Sequence, residues 1–348
     1  MLLSRVAESV YWSGRYLERA EGTARMIKIH TELFLDLPRS AGIGWSPLLA
    51  ITGSTADFDD HYGQRDAHGN TAEASGPVHL PASGSAAEED VIRFLATDPN
   101  NPASIISSLS AARANFRVTR AVFPGSSWEI LNALFLWNVE ARTLAVDRRT
   151  RLAWMDRVIR DCQTLRGLLS STMSHDAAYS FLEIGRAIEI ADLTTRVLDV
   201  QAGVLMSSPG AMGAARYSDI TWMSVLKSLA AHQMFRRTVR GGVSGPEALR
   251  FLLRDPQFPR SVEHSLTRIS RSLLELPRYD EAMAGCAEVQ KMLVDADVAD
   301  LAMSGLHEYV DEVQLGIAAL HEALTTTYFV RAAPAEPEHA LTTLLASA

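Results

Sequence analysis

The segment GRYLERAEGTAR at 14–25 is written a second time as GRAIEIADLTTR at 185–196. Gly, Arg, Glu, Ala, Thr and Arg coincide, Leu17 faces Ile188, and Glu21 faces Asp192. Further blocks follow in the same order. Trp45 in WSPLLA answers Trp222 in WMSVLK, and FLATDPNNPASIISSL (94–109) answers FLLRDPQFPRSVEHSL (251–266). The offset moves from 171 to 177 to 157 residues, so the halves differ by loop insertions. A long unit present twice predicts a pseudo-twofold molecule, because a solenoid would repeat every ~20–50 residues.

The local pattern is helical almost throughout. Segment 4–35 places Val6, Val10, Leu17, Ala20, Ala24 and Ile27 at a 3.6-residue period. SSWEILNALFLWNVEARTLAV (126–146) opens with serines suited to capping and has Glu129 in its early turns. The two DP…P blocks each break one helix and start another, and Pro246 suits a first helical turn. Segments 151–172, 174–204, 218–239, 246–254, 261–275 and 287–329 complete the pattern, with no alternating run that reads as a strand. The expected fold is all-α, a helical bundle built from two tandem, pseudo-twofold-related helical repeats. The first repeat is assigned to 1–150 with a polar loop insertion at 53–90, the second to 151–330, and a disordered tail to 331–348, where Pro334 and Pro337 block helix extension.

Charge narrows the partners. The net charge of −8 and the lack of a dense Lys/Arg run exclude a nucleic-acid footprint. No run approaches the ~18 uncharged apolar residues of a membrane span, and the N-terminus lacks a signal-peptide pattern. Two isolated cysteines, Cys162 and Cys286, fit a reducing compartment, so the expectation is a soluble cytoplasmic protein.

At ~100° per residue, Gly14, Glu18, Glu21 and Arg25 lie within about 60° of each other beside Leu17, Ala20 and Ala24. Gly185, Glu189, Asp192 and Arg196 repeat the stripe beside Ile188 and Ala191. Glycine costs about 1 kcal/mol in a helix interior, which points to close backbone approach there. One reading is a polar seam, with Glu18 meeting Arg186 or Arg196 and Glu189 meeting Arg15 or Arg25. The other is a binding site. Carboxylate-bridged metal bundles use Glu-x-x-His, which neither copy has, so no metal or other cofactor is expected; the arginines favour an anionic ligand or a peptide carboxylate. A second candidate cluster joins Arg117 and Arg120 of NFRVTR to Glu129 and Asn132 of WEILN; turned toward the stripe, it would complete one polar pocket.

Other signals are weaker. His61, His68 and His79 with the aspartates at 57, 59 and 60 read as part of a disordered insertion. The His-Glu pairs at 307–308 and 321–322 do not complete HExxH, and RGGVSG (240–245) matches no nucleotide loop.

MLLSRVAESVYWSGRYLERAEGTAR, NFRVTR…WEILN, FLEIGRAIEIADLTTRVLD and DPQFPRSV together resemble the bacterial alpha-E family, long described as a domain of unknown function. The resemblance covers about residues 1–330 and departs at Ile190, where the second copy commonly carries an arginine matching Arg19. It implies association with a circularly permuted ATP-grasp protein and a transglutaminase-like cysteine peptidase, in some clusters with a proteasome-like peptidase. The implied theme is ATP-dependent amide-bond formation on a peptide or small metabolite. On that basis the chain is expected to be a helical partner that binds the ligase or presents its substrate, without catalysis of its own. The competing expectations are a stand-alone enzyme on a peptide or amide, with Glu18, Glu189 or Glu129 as a general base of raised pKa, and a purely structural scaffold.

Overall fold

The 3.6-residue period of segment 4–35 is realised as one 33-residue helix, α1 (Ser4–Asp36), with Val10, Ala20, Ala24 and Ile27 fully buried. The computed structural model describes residues 3–36, 44–62, 85–206 and 211–329. After α1 come α2 (Ser46–Thr52), α3 (Thr55–Tyr62), α4 (Ser85–Ala96), α5 (Ile105–Val118), α6 (Gly125–Glu140), α7 (Arg142–Val146) and α8 (Arg151–Thr172). Next is α9 (Ala177–Met206), which carries the second stripe. It is followed by α10 (Ala211–Ser228), α11 (His232–Thr238), α12 (Gly245–Arg254), α13 (Val262–Leu273), α14 (Asp280–Asp295), α15 (Val298–Leu301) and α16 (Leu306–Leu324). A π-helical turn, Thr325–Phe329, extends α16. The fold is all-α, with no strand among the described residues.

Several expected helices are divided. Segment 126–146 breaks at Ala141 into α6 and α7. Segment 218–239 breaks at Ala230, whose positive φ of 54° is incompatible with a continuing right-handed helix. Segment 287–329 is interrupted by Asp297, whose side chain accepts from Ala299 and Asp300 N–H to cap α15, and by Gly305 at φ 76° before α16. The span 53–90 is not loop throughout: its ends form α3 and the start of α4, while residues 63–84, with His68 and His79, lie outside the described residues. The tail 331–348 lies outside them as well.

The two DP…P blocks make the same turn. Asp98 Oδ1 accepts from Asn100 N–H, and Asp255 Oδ1 from Gln257 N–H, both at 2.9 Å. Ser104 and Ser261 each donate through Oγ to the carbonyl of that aspartate and accept from the N–H three residues on, capping α5 and α13. The same local chemistry operates in both blocks. An aspartate holds the turn, a proline ends the helix, and a serine starts the next.

Helices α1 and α9 run side by side at the centre; α1 also packs against α5 and α8, and α9 against α13 and α16. Residues 181–191 of α9 are buried on every face, so its polar side chains have only protein to bond to. A buried arginine ties down the flank. Arg151 on α8 donates to Glu88 on α4 at 2.7 Å and to the Val146 carbonyl ending α7 at 2.8 Å, where the helix dipole favours a cation. Among the described residues no helix is long and apolar enough to cross a membrane.

Candidate functional site

The stripe glycines are where α1 and α9 touch. A Cβ on Gly14 would stand 2.4 Å from the Leu182 carbonyl oxygen, and one on Gly185 only 2.1 Å from that of Tyr11. No side chain fits at either position. The near-contact of the backbones brings the flanking polar residues of both helices within reach of each other.

On one side of the crossing, Glu18 and Glu21 of α1 are buried among arginines from four elements. Glu18 accepts from Arg186 of α9 at 3.2 Å and pairs with Arg166 of α8 at 2.6 Å and Arg260, just before α13, at 3.5 Å. Glu21 bonds Arg25, Arg166, Gln163 at 3.2 Å and Arg260 at 3.0 Å. Arg186 also bonds Glu183, which stands 3.7 Å from Arg268 of α13. Burial alone would push the Glu18 carboxyl up, but Arg166, Arg260 and Arg186 outweigh it and hold it at about 2. A cavity of about 10 Å³ against Glu18, Glu21 and Cys162 is room for little more than one water. This half of the network is closed.

On the other side, Glu189 of α9 accepts from Arg15 Nε at 2.7 Å and from Arg19 Nε and Nη2 at 2.6 and 3.0 Å. Burial raises its pKa and the two arginines more than reverse that, so Glu189 too lies below the usual carboxylate range. Arg196 holds Asp192 at 2.9 Å, and Arg15 approaches the same carboxylate at 3.9 Å. Arg15 also lies 5.1 Å over Trp12. Unlike its counterpart, this half opens: Arg15, Asp192 and Arg196 line a cleft against α16.

The seam pairs Glu18–Arg186 and Glu189–Arg15 therefore both form, whereas Arg25 and Arg196 bond carboxylates on their own helices. The carboxyls of Glu18 and Glu189 are lowered and not raised, opposite to the expectation for a general base, because each meets at least two arginines. The second cluster does not turn toward the stripe. Asn132 accepts from Arg113 at 2.7 Å, Arg120 lies 4.3 Å over Trp128, and Arg117 and Glu129 are exposed, all on the α5–α6 surface.

Sequence reasoning missed Arg19, Arg166, Arg260 and Gln163. Arg260 sits inside the repeated DPQFPRSV block where the first copy has Ala103, and that departure was the available signal. At Ile190, buried in α9, the second stripe has no arginine to match Arg19. Arg166 and Arg260 supply cations to Glu18 and Glu21 instead. Nothing local marks Arg166 or Gln163, which reach the site only through the packing of α8 on α1.

One set of metal-ligating type occurs among the described residues: Asp199, His307 and Asp311, with ligand atoms within 4.8 Å of one another. His307 Nδ1 and Asp199 Oδ1 are 2.5 Å apart, closer than the roughly 3.3 Å implied for two ligands at ~2.0 Å from one tetrahedral zinc. They form a hydrogen-bonded pair, which raises the His307 pKa.

A family model named Alpha-E, described as "a predicted alpha-helical domain with a conserved ER motif", matches residues 2–329. The chain has one Glu-Arg dipeptide, Glu18-Arg19, at the centre of the network above. It is similar to an uncharacterized protein of Mycobacterium bovis and to uncharacterized proteins of two strains of Mycobacterium tuberculosis. Each is 24% identical over 341 residues, which cover 90% of this chain and 35% of the relative. The chain thus spans about a third of the length of these relatives. No solved structure matches the chain significantly.

Proposed function

The chain belongs to the Alpha-E family, and from that premise we propose that it is a non-catalytic helical partner of an ATP-grasp enzyme that forms amide bonds. The observation that carries this reading is the outer face of α5 and α6. Val118 is 69% exposed, Leu136 53% and Val139 37%, and in the same α5–α6 segment Arg113 and Arg120 lie over Trp128 at 5.5 and 4.3 Å. Exposed aliphatic side chains in a segment that also carries an arginine–tryptophan cluster have the composition of a docking surface. Arg117, Arg120, Glu129 and Asn132 belong to this face. The length of the relatives adds support, because in them the matched region is joined to a longer chain.

The locked carboxylates fit the same division of labour. Glu18 and Glu189 hold the fold together, and activation by ATP is left to the ATP-grasp partner. A transglutaminase-like peptidase and, in some systems, a proteasome-like peptidase complete the set implied by the resemblance. This reading puts the protein in the cytoplasm with ATP, where free thiols such as Cys162 and Cys286 persist.

The test is affinity capture of tagged protein from its native host, comparing wild type with Leu136→Glu/Val139→Glu after both have been matched by thermal melt. Both substitutions are at exposed positions and leave the buried network intact. Recovery of an ATP-grasp protein with wild type, lost with the folded variant, is the expected result. Failure to recover it with wild type removes the partner reading; equal recovery with both moves the docking face elsewhere.

A further inference from the structure

The cleft on the open side of the network has a volume of about 470 Å³, within the range of small-molecule sites, and lies between α1, α9 and α16. Its donors are incompletely used. Arg15 and Arg196 each commit Nε to a carboxylate, and the terminal nitrogens of Arg196 make no hydrogen bond among the described residues. Gln314 lines the cleft, and its Nε2 is buried without a partner, an arrangement that costs stability until an acceptor meets it. His321 Nδ1 stands 2.8 Å from the Tyr11 hydroxyl. Burial raises the Tyr11 pKa to about 12, so this hydroxyl keeps its proton, and burial lowers the His321 pKa, so the imidazole is neutral and carries one N–H.

The charges lining the cleft are balanced. Arg196 pairs with Asp192 on α9, Arg15 approaches the same carboxylate from α1, and Asp311 stands on α16. A multiply charged phosphate therefore meets no surplus of positive charge, whereas a molecule bearing both signs meets a partner for each. The poles follow from helix direction. His307 of α16 meets Asp199 of α9, and Tyr328 beyond α16 meets Phe181 at 5.2 Å between ring centroids, so the two helices are antiparallel. Asp311 therefore lies toward one end of the cleft and His321, beside Tyr11 and Trp12, toward the other. The ten helical steps from one to the other rise about 15 Å, the span of roughly four extended residues. Ile188, Leu315, Ile317 and Ala318 form an apolar wall.

We propose that this cleft binds a short peptide with free ends. Arg15 and His321 take the C-terminal carboxylate, Gln314 donates to a peptide carbonyl, and Asp311 takes the N-terminal ammonium. This goes beyond the partner reading and does not depend on it.

The experiment incubates the full chain with a mixed-sequence tetrapeptide pool. The pool is prepared as free acids, as C-terminal amides and as N-acetyl acids, and retained species are read by ultrafiltration and mass spectrometry. The strongest peptide is then titrated calorimetrically into wild type, Gln314→Leu and Ala318→Trp, the last an exposed position where an indole would fill the cleft. Retention of free acids, at least tenfold weaker binding of the amides, loss of binding in a normally melting Ala318→Trp and about tenfold loss in Gln314→Leu are expected. Equal retention of acids and amides, no retention of either, or binding indifferent to Ala318→Trp overturns the proposal. So does displacement of the peptide by an equal concentration of inorganic phosphate, which would make the cleft a simple anion site.

Discussion

Arg15 on α1 donates to Glu189 on α9 at 2.7 Å, and Arg186 on α9 returns the contact to Glu18 on α1 at 3.2 Å. All four side chains are buried, so each charge relies on the others for the solvation that water would supply. Removing one partner of such a set costs about 3–5 kcal/mol, whereas replacing the whole set with apolar groups is often neutral. Glu189→Leu is therefore expected to lose about 3–5 kcal/mol in urea unfolding. The triple variant Arg15→Met/Arg19→Met/Glu189→Leu should regain most of it. A single-variant loss below about 1 kcal/mol would show that the buried pairs do not couple as described.

The network also predicts acid sensitivity. Glu18 falls from the ordinary 4.5 to about 2 in the folded protein, because Arg166, Arg260 and Arg186 outweigh its burial. A depressed carboxylate stabilises fully above its unfolded pKa, and the contribution disappears as pH falls through the folded value. Stability should thus decline from about pH 4.5 toward pH 2, with Glu18 alone contributing on the order of 3 kcal/mol and Glu189 acting in the same direction. Denaturant midpoints across that range check it. In Glu18→Gln the slope should shrink, and an unchanged slope would assign the acid transition to other groups.

Glycine provides a signed comparison. At an open helix position Gly→Ala stabilises by about 1 kcal/mol, through propensity alone. Gly167 on α8 is exposed, with nothing within 4 Å of an added Cβ, and is expected to behave that way. At Gly14 and Gly185 the added methyl would meet a backbone carbonyl oxygen at 2.4 and 2.1 Å, so α1 and α9 must separate. Gly14→Ala and Gly185→Ala should each destabilise by about 1–3 kcal/mol or more, with thermal melts lower than wild type while Gly167→Ala melts higher. Parallel behaviour of all three would rule out the close crossing.

His307 reports on the far end of the cleft. Its hydrogen bond to Asp199, together with that carboxylate's charge, raises its pKa above the ordinary 6.5. Stability from this pair is complete below the unfolded pKa and is lost as pH rises through the folded one. In an NMR titration the His307 ring signals should move at higher pH in wild type than in Asp199→Asn. Coincident curves would show that the pair does not form in solution.

Much of the central architecture was legible in local chemistry. The apolar period of α1, the capping serines at 104 and 261, and the glycines at 14 and 185 are written within a few residues of where they act. Matching one stripe against the other offered Glu18 two partners, Arg186 and Arg196, and the structure pairs it with the first. The helix breaks at Ala141 and Ala230 were not legible, because alanine is the strongest helix former and neither residue is a breaker by type.

The sequence by itself determined that the chain is helical and that two Gly-Arg-Glu stripes would border its core, because helical periodicity and glycine's missing Cβ are properties of nearby residues. Only the tertiary structure decided that Arg166 and Arg260 close one half of the network while the other half opens against α16. It also separated Arg117, Arg120, Glu129 and Asn132 onto an outer face. Those outcomes depend on which helices pack together across long stretches of chain. Long-range packing and burial set the charge state of each carboxylate, and neither is encoded in the spacing of the residues that meet.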